Sequence, residues 1–127
     1  MSCTLARSCL MALIVTLPIQ APAQNVATLR PVNVRAGPDR SFPVVTPLNP
    51  NTPVHIFGCL SGWVWCDIAS GRSRGWVQSS YLTSFFRERT LVITFSVESY
   101  WDEHYKRRPW YAQRSKWLDW QAPPGHP

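Results

Sequence analysis

The sequence predicts a mainly β protein: a small, strongly twisted barrel with a short α/β extension at its C-terminal end. Three observations carry that expectation. From Asn25 to Leu82, short apolar runs are separated at close intervals by Gly, Pro, Asn and Ser, the pattern of brief strands joined by tight turns. The 127 residues include 12 Pro and 6 Gly, which excludes long helices over most of the chain, because Pro lacks a backbone donor and clashes inside a helix. After Thr83 the texture changes to an aromatic, basic segment. With 45% hydrophobic residues, including 7 Trp, 4 Tyr and 5 Phe, the chain can fill one core, and its length suits one domain. A helix bundle and a doubly wound nucleotide-binding fold are disfavoured.

Residues 1–23 read as a secretory signal and not as part of the fold. Arg7 supplies a positive start, Cys9 to Leu17 is apolar except for one Thr, and Ala21-Pro22-Ala23 has the small-x-small pattern of a cleavage site. The apolar run is about half of the roughly 20 residues needed to cross a bilayer, so no permanent membrane span is expected. The mature chain then begins at Gln24, exported to the periplasm or beyond. Arg7 is the leader's only charge, so the formal net charge falls from +6 to +5 on cleavage. That sign suits anionic polymers and is equally ordinary for a small basic protein.

The expected strands are Val26 to Arg30, Val32 to Arg35, Val44 to Leu48, Val54 to Cys59, Trp63 to Ile68 and Arg74 to Gln78. Gly37-Pro38-Asp39 opens a loop, Asn49-Pro50-Asn51 is a turn, and Ser61-Gly62 and Ser70-Gly71 fall where hairpins need them. Strands this short cannot make a large sandwich, whereas a curled barrel hides most of their edges. Period-2 alternation puts Val54 and Ile56 on one face with His55 and Phe57 on the other. It likewise separates Val64, Cys66 and Ile68 from Trp63, Trp65 and Asp67. With the aliphatic faces inward, Trp63 and Trp65 lie either outside or beneath another segment, and Trp65→Ala is expected to spare a fold that Trp76→Ala destroys. Cys59 and Cys66 remain after the leader departs. A hairpin brings them side by side or one step off register, so a structural disulfide is expected in an oxidising compartment.

Three ordered motifs then carry a resemblance. Asn33-Val34-Arg35-Ala36-Gly37-Pro38, Gly62-Trp63-Val64 followed by Cys66-Asp67-Ile68, and Arg74-Gly75-Trp76-Val77-Gln78-Ser79-Ser80-Tyr81-Leu82 together resemble a bacterial SH3-like (SH3b) domain. The resemblance spans about Val26 to Leu82 and implies an SH3-like β-barrel over residues 24–84. In that family the first motif closes a strand and opens a long loop, and the last forms the final strand and a short helical turn.

Residues 85–127 form the expected aromatic, basic extension: a strand at Leu91 to Phe95, a helix from Tyr100 to about Arg107, and an end that frays beyond Pro123. Ser99 followed by Asp102 suggests the helix cap, and Pro109 stops the helix. This tail is similar to one found after single SH3b domains in small exported proteins of Gram-negative bacteria.

The mature chain offers little for catalysis. His55, His104 and His126 are scattered, and the cysteines are expected to be paired, so no enzyme activity is expected. No cofactor motif is present, and no His, Cys or carboxylate spacing suggests a metal site. Export argues against nucleic acid as a partner. The resemblance implies a wall-directed module, because exported SH3b domains of cell-wall hydrolases recognise peptidoglycan. Candidate ligand residues are Trp63, Trp65, Tyr81 and the loop residues Asp39, Arg40 and Phe42, with Arg72 and Arg74 to pair with carboxylates. The alternative places the contact surface on the extension, where Trp101, Tyr105, Trp110, Tyr111 and Trp117 alternate with basic residues and would suit an envelope protein.

Overall fold

Seven strands build one sheet in a computed structural model that describes residues 12–17 and 25–122: β1 (Val26–Ala27), β2 (Val32–Arg35), β3 (Val44–Leu48), β4 (Pro53–Leu60), β5 (Trp65–Ser70), β6 (Ser73–Gln78) and β7 (Val92–Ile93). Arg7, the expected cleavage site at 21–23 and the end beyond Ala122 lie outside the described residues. No described helix is long and apolar enough to cross a membrane. The order is β1-β4-β5-β6-β2-β3, antiparallel throughout, with β7 added parallel to β4. Val26 of β1, Val32, Val34, Val54, Cys66, Ile68, Val77 and Leu82 meet in one cluster, with Val45 and Leu48 of β3 packed against it. Side chains from both ends of the strand order therefore share a core, which requires the sheet to curl.

Turn chemistry sets the boundaries. Ser70 pairs directly with Ser73 across the two-residue turn Gly71-Arg72. The turn before β5 is longer than expected: Trp63 adopts a left-handed φ of 62°, and its N–H donates to the Leu60 carbonyl at 2.9 Å. Trp63 therefore belongs to the turn, and β5 begins at Trp65. Cys59 and Cys66 face each other directly across β4 and β5, with Cα atoms 4.0 Å apart, and are joined by a disulfide.

Two close approaches depend on missing side chains. A Cβ on Gly75 would lie 2.5 Å from the Arg35 carbonyl oxygen, so glycine lets β6 come up against β2. At Gly58 a Cβ would lie 2.7 Å from the Leu91 carbonyl oxygen, on the side where β7 docks.

The extension packs across the face of the sheet opposite the barrel core. The π-type turn Val97–Trp101 runs into a helical turn at Asp102–His104, and Pro109–Gln113 and Arg114–Trp117 form two more helical turns. The cap is Ser96, whose hydroxyl accepts from the Ser99 N–H at 3.2 Å, and not Ser99 as the sequence suggests. The helix consequently starts and ends about one turn early, and the expected strand at Leu91 to Phe95 shortens to Val92–Ile93. Beneath these turns lies a second core of Ala36, Phe42, Trp65, Trp76, Val97, Trp101, Tyr105 and Trp110. Phe42 is fully buried between extension rings, stacked on Trp117 with centroids 4.6 Å apart and 5.0 Å from Trp120. The Trp101 indole N–H donates to the Ala36 carbonyl at 3.1 Å.

Strand β5 is thus buried on both faces. Cys66 and Ile68 point into the barrel, while Trp65, 4% exposed, joins the seam with Trp76. The expectation that Trp65→Ala spares the fold is corrected accordingly: truncating this ring should cost about 3 to 5 kcal/mol, measured by urea unfolding, as for other core aromatics. Cleaving the disulfide, which closes a loop with a sequence separation of 7, should lower stability by about 2 kcal/mol in the chain-entropy account. Superimposable unfolding curves with and without reductant would remove that stabilising role.

Candidate functional site

The buried face of β5 carries a charge. Asp67 is fully buried between strands β4 and β6, on the seam side of the sheet. Its Oδ2 accepts from Arg74 Nη2 at 2.9 Å and from the Tyr100 hydroxyl, and its Oδ1 accepts from the Tyr105 hydroxyl at 2.9 Å. One partner comes from the neighbouring strand and two from the extension. Burial alone would lower the Arg74 guanidinium, but the hydrogen bond and charge of Asp67 overcome that and hold it above its ordinary value. Burial first, and then the adjacent carboxylate, push both Tyr100 and Tyr105 well above the usual phenol range. Arg74 also lies over the Phe57 ring, 3.9 Å from its centroid. A second tie is within the extension itself: Asp102 accepts from the Tyr111 hydroxyl at 2.7 Å and from Arg114 Nε at 2.8 Å. Those contacts, the Tyr111 hydrogen bond first, hold the Asp102 carboxyl below its ordinary range.

The sequence-predicted site residues do not come together in one place. Tyr81, Arg40 and one edge of Trp65 line a cleft of about 360 Å³, together with Arg30, Asn33, Arg35 and Gln78. Arg72 and Arg74 line a different recess, where the extension meets the barrel. Phe42 is core, as is the bulk of Trp65, so neither offers an exposed ring to a ligand. Trp63 is half-buried at its turn, packed against the barrel cluster with Arg87 5.8 Å above its ring. Asp39 serves the loop, accepting from the Ser41 N–H at 2.9 Å and from its hydroxyl at 2.6 Å.

The alternative surface is corrected by burial. Trp101 and Tyr105 are fully buried, Trp110 is nearly so, and Tyr111 and Trp117 are half-buried. These rings are spent on the seam, so they do not form a free contact face.

The cleft is built by the period-2 rule. Val32 and Val34 enter the barrel core, which turns Asn33 and Arg35 of β2 outward. Arg35 Nη1 donates to the carbonyls of Arg40 at 3.0 Å and Phe42 at 2.9 Å, bracing the loop that presents Arg40. Arg40 reaches Gln78 at 3.5 Å, and Arg30 lies over the Tyr81 ring, 4.9 Å from its centroid. The lining holds three guanidinium groups, two amides, a phenol and an indole edge, with no carboxylate. Arg30, Asn33, Arg35 and Gln78 were missed as site residues, although the alternation that buries Val32 and Val34 was the signal for Asn33 and Arg35. Among the described residues, no three His, Cys, Asp or Glu side chains converge as a metal site would require.

A curled, mostly antiparallel sheet of short strands, with a donor-rich cleft beside its first loop, defines a small β-barrel binding domain. Residues 30–83 match the family described as the bacterial SH3 domain, and this part of the chain is an SH3b domain. No curated protein matches the chain.

The raised phenols give a pH signature. Their folded values lie above the unfolded ones, so the stability tied to their protons is complete below about pH 10 and is lost as pH rises through the folded values. Over that interval each contributes a downward slope of about 1.4 kcal/mol per pH unit. Tyr100→Phe and Tyr105→Phe should each flatten the alkaline limb of stability against pH by about that amount. Equal slopes in wild type and variants would mean that the phenols ionise as readily folded as unfolded.

Proposed function

We propose that this chain is an exported, noncatalytic binding module that recognises peptidoglycan, or another component of the cell envelope, through the arginine cleft. The observation that carries this reading is the cleft's composition: Arg30, Arg35 and Arg40 beside the Tyr81 ring, on the SH3b domain and clear of the extension, with no carboxylate in its lining. Guanidinium groups take carboxylates in paired, charge-assisted hydrogen bonds, and an aromatic face supplies flat apolar area to a sugar or peptide. The carboxylated peptide stems of a cell wall offer both. The Cys59–Cys66 disulfide is compatible with an oxidising compartment, which favours export. Guanidinium, amide and phenol groups orient and hold a ligand, and the cleft presents no nucleophile with a base beside it.

Co-sedimentation of residues 24–127 with insoluble peptidoglycan, at low and moderate salt, tests the proposal. Binding should survive moderate salt and fall about tenfold or more in an Arg40→Gln, Tyr81→Ala variant that keeps the wild-type melting curve. No binding at either salt, or equal binding by that variant, would reject the cleft as the wall-binding site.

A further inference from the structure

The recess between barrel and extension is as roomy as the cleft, at about 410 Å³. One wall is the exposed edge of β3 at Val44 and Val45, the second is the Gly71-Arg72 turn with Ser73, and the third is the extension at Arg108, Pro109 and Trp110. It therefore exists only while the extension is docked. β3 ends the strand order, paired only with β2 among the described residues, so nothing in the sheet covers this side.

Its polar groups are arranged unusually. Arg108 Nη1 donates to the Arg72 carbonyl at 2.9 Å, which fixes one guanidinium beside the residue that bears the other. Arg74, in the same wall, is already matched by Asp67. Neither Arg72 nor Arg108 has a carboxylate within ion-pair distance among the described residues, and the lining contains no acidic side chain. Arg108 also borders a neighbouring recess that holds Asp102 and Glu103, outside ion-pair distance, so an anion placed at Arg72 and Arg108 gains a charge-assisted partner from each. The remaining lining mixes apolar and polar groups: Val44 is 46% exposed and Pro109 stands opposite it over the nearly buried Trp110, with Ser73 and Gln113 at the same recess.

From two cations without an ion-pair partner, facing a carboxylate-free recess with Val44 and Pro109 as its apolar surface, the geometry points to a second ligand site, independent of the arginine cleft. Its occupant is a peptide end with a free terminal carboxylate and an apolar last side chain. The carboxylate sits between Arg72 and Arg108, and the side chain lies on Val44 and Pro109. Charge complementarity selects the carboxylate, and the apolar wall separates such an end from a bare inorganic anion.

Backbone and indole amide resonances, followed during titration with acetyl-Gly-Gly-X peptides (X = Ala, Leu or Phe), test this. The Leu and Phe free acids should give saturable shifts at Val44, Ser73 and Trp110, tighter than Ala. Their C-terminal amides should bind about tenfold more weakly or worse. Arg72→Gln and Arg108→Gln should each weaken the acids about tenfold, whereas Arg40→Gln should leave them unchanged. Arg72→Gln keeps the carbonyl that Arg108 uses, so it tests the charge without disturbing that contact. The proposal is overturned by any of four results: no saturable shift from any acid at millimolar concentration, equal binding of acid and amide, insensitivity to both substitutions, or inorganic phosphate binding as tightly as the peptides.

Discussion

A carboxylate in the middle of a strand, sealed from water, is the constraint to which the rest of the molecule answers. Taking Asp67 out of solvent costs several kcal/mol unless its lone pairs are filled, and no single partner here would suffice. Arg74 supplies the counter-charge from the next strand, and Tyr100 and Tyr105 supply neutral donors from a segment more than thirty positions away. Around this point the seam is almost wholly aromatic, with Phe42, Trp76, Phe95 and Trp101 in ring-to-ring contact. Rings tolerate sliding and rotation at small cost, whereas two hydroxyls directed at two oxygens do not. The apolar contacts supply the bulk of the attraction, and the Asp67 cluster fixes where the extension sits.

Most strands were legible because each boundary has local chemistry. Pro and Gly punctuate the chain, and alternation marks which side chains of β2 and β4 enter the barrel. Cys59 and Cys66 were legible for the same reason, since hairpin geometry alone sets them opposite each other. What escaped was everything decided by the second face of the sheet. Alternation correctly put Trp65 and Asp67 on the side away from the barrel, yet an outward direction equals exposure only if nothing covers it. Phe42 sits in a loop with no periodicity to betray it, and its neighbours Trp117 and Trp120 arrive from the other end of the chain. Trp63 was read as strand because it continues the alternation of Trp65 and Asp67, and its turn instead imposes a positive φ that bulky residues rarely take. Ser99 was read as the cap from its spacing to Asp102, whereas Ser96 makes the capping contact because the path of the chain out of β7 starts the helical turn earlier.

Covering one face also organises the charge. Six of the cationic side chains line two recesses, Arg30, Arg35 and Arg40 beside the first loop of the barrel and Arg72, Arg74 and Arg108 along the seam, each without an acidic group in its lining. Among the described residues the carboxylates Asp67 and Asp102 are committed to guanidinium partners, so the acidic complement of a chain with formal charge +6 is partly withdrawn from the surface. Both recesses therefore carry positive charge in their lining and have room for a ligand.

The family match stops at residue 83, but the physical unit does not. A polypeptide cut there would keep every barrel strand except β7 and lose the cover over Phe42, Trp65 and Trp76, together with both phenols that satisfy Asp67. It would present a broad aromatic sheet face surrounding a half-matched charge, the kind of surface that drives self-association. The boundary that homology draws and the boundary that cooperativity draws therefore differ by some forty residues, and anyone producing this SH3b domain in isolation should take the second.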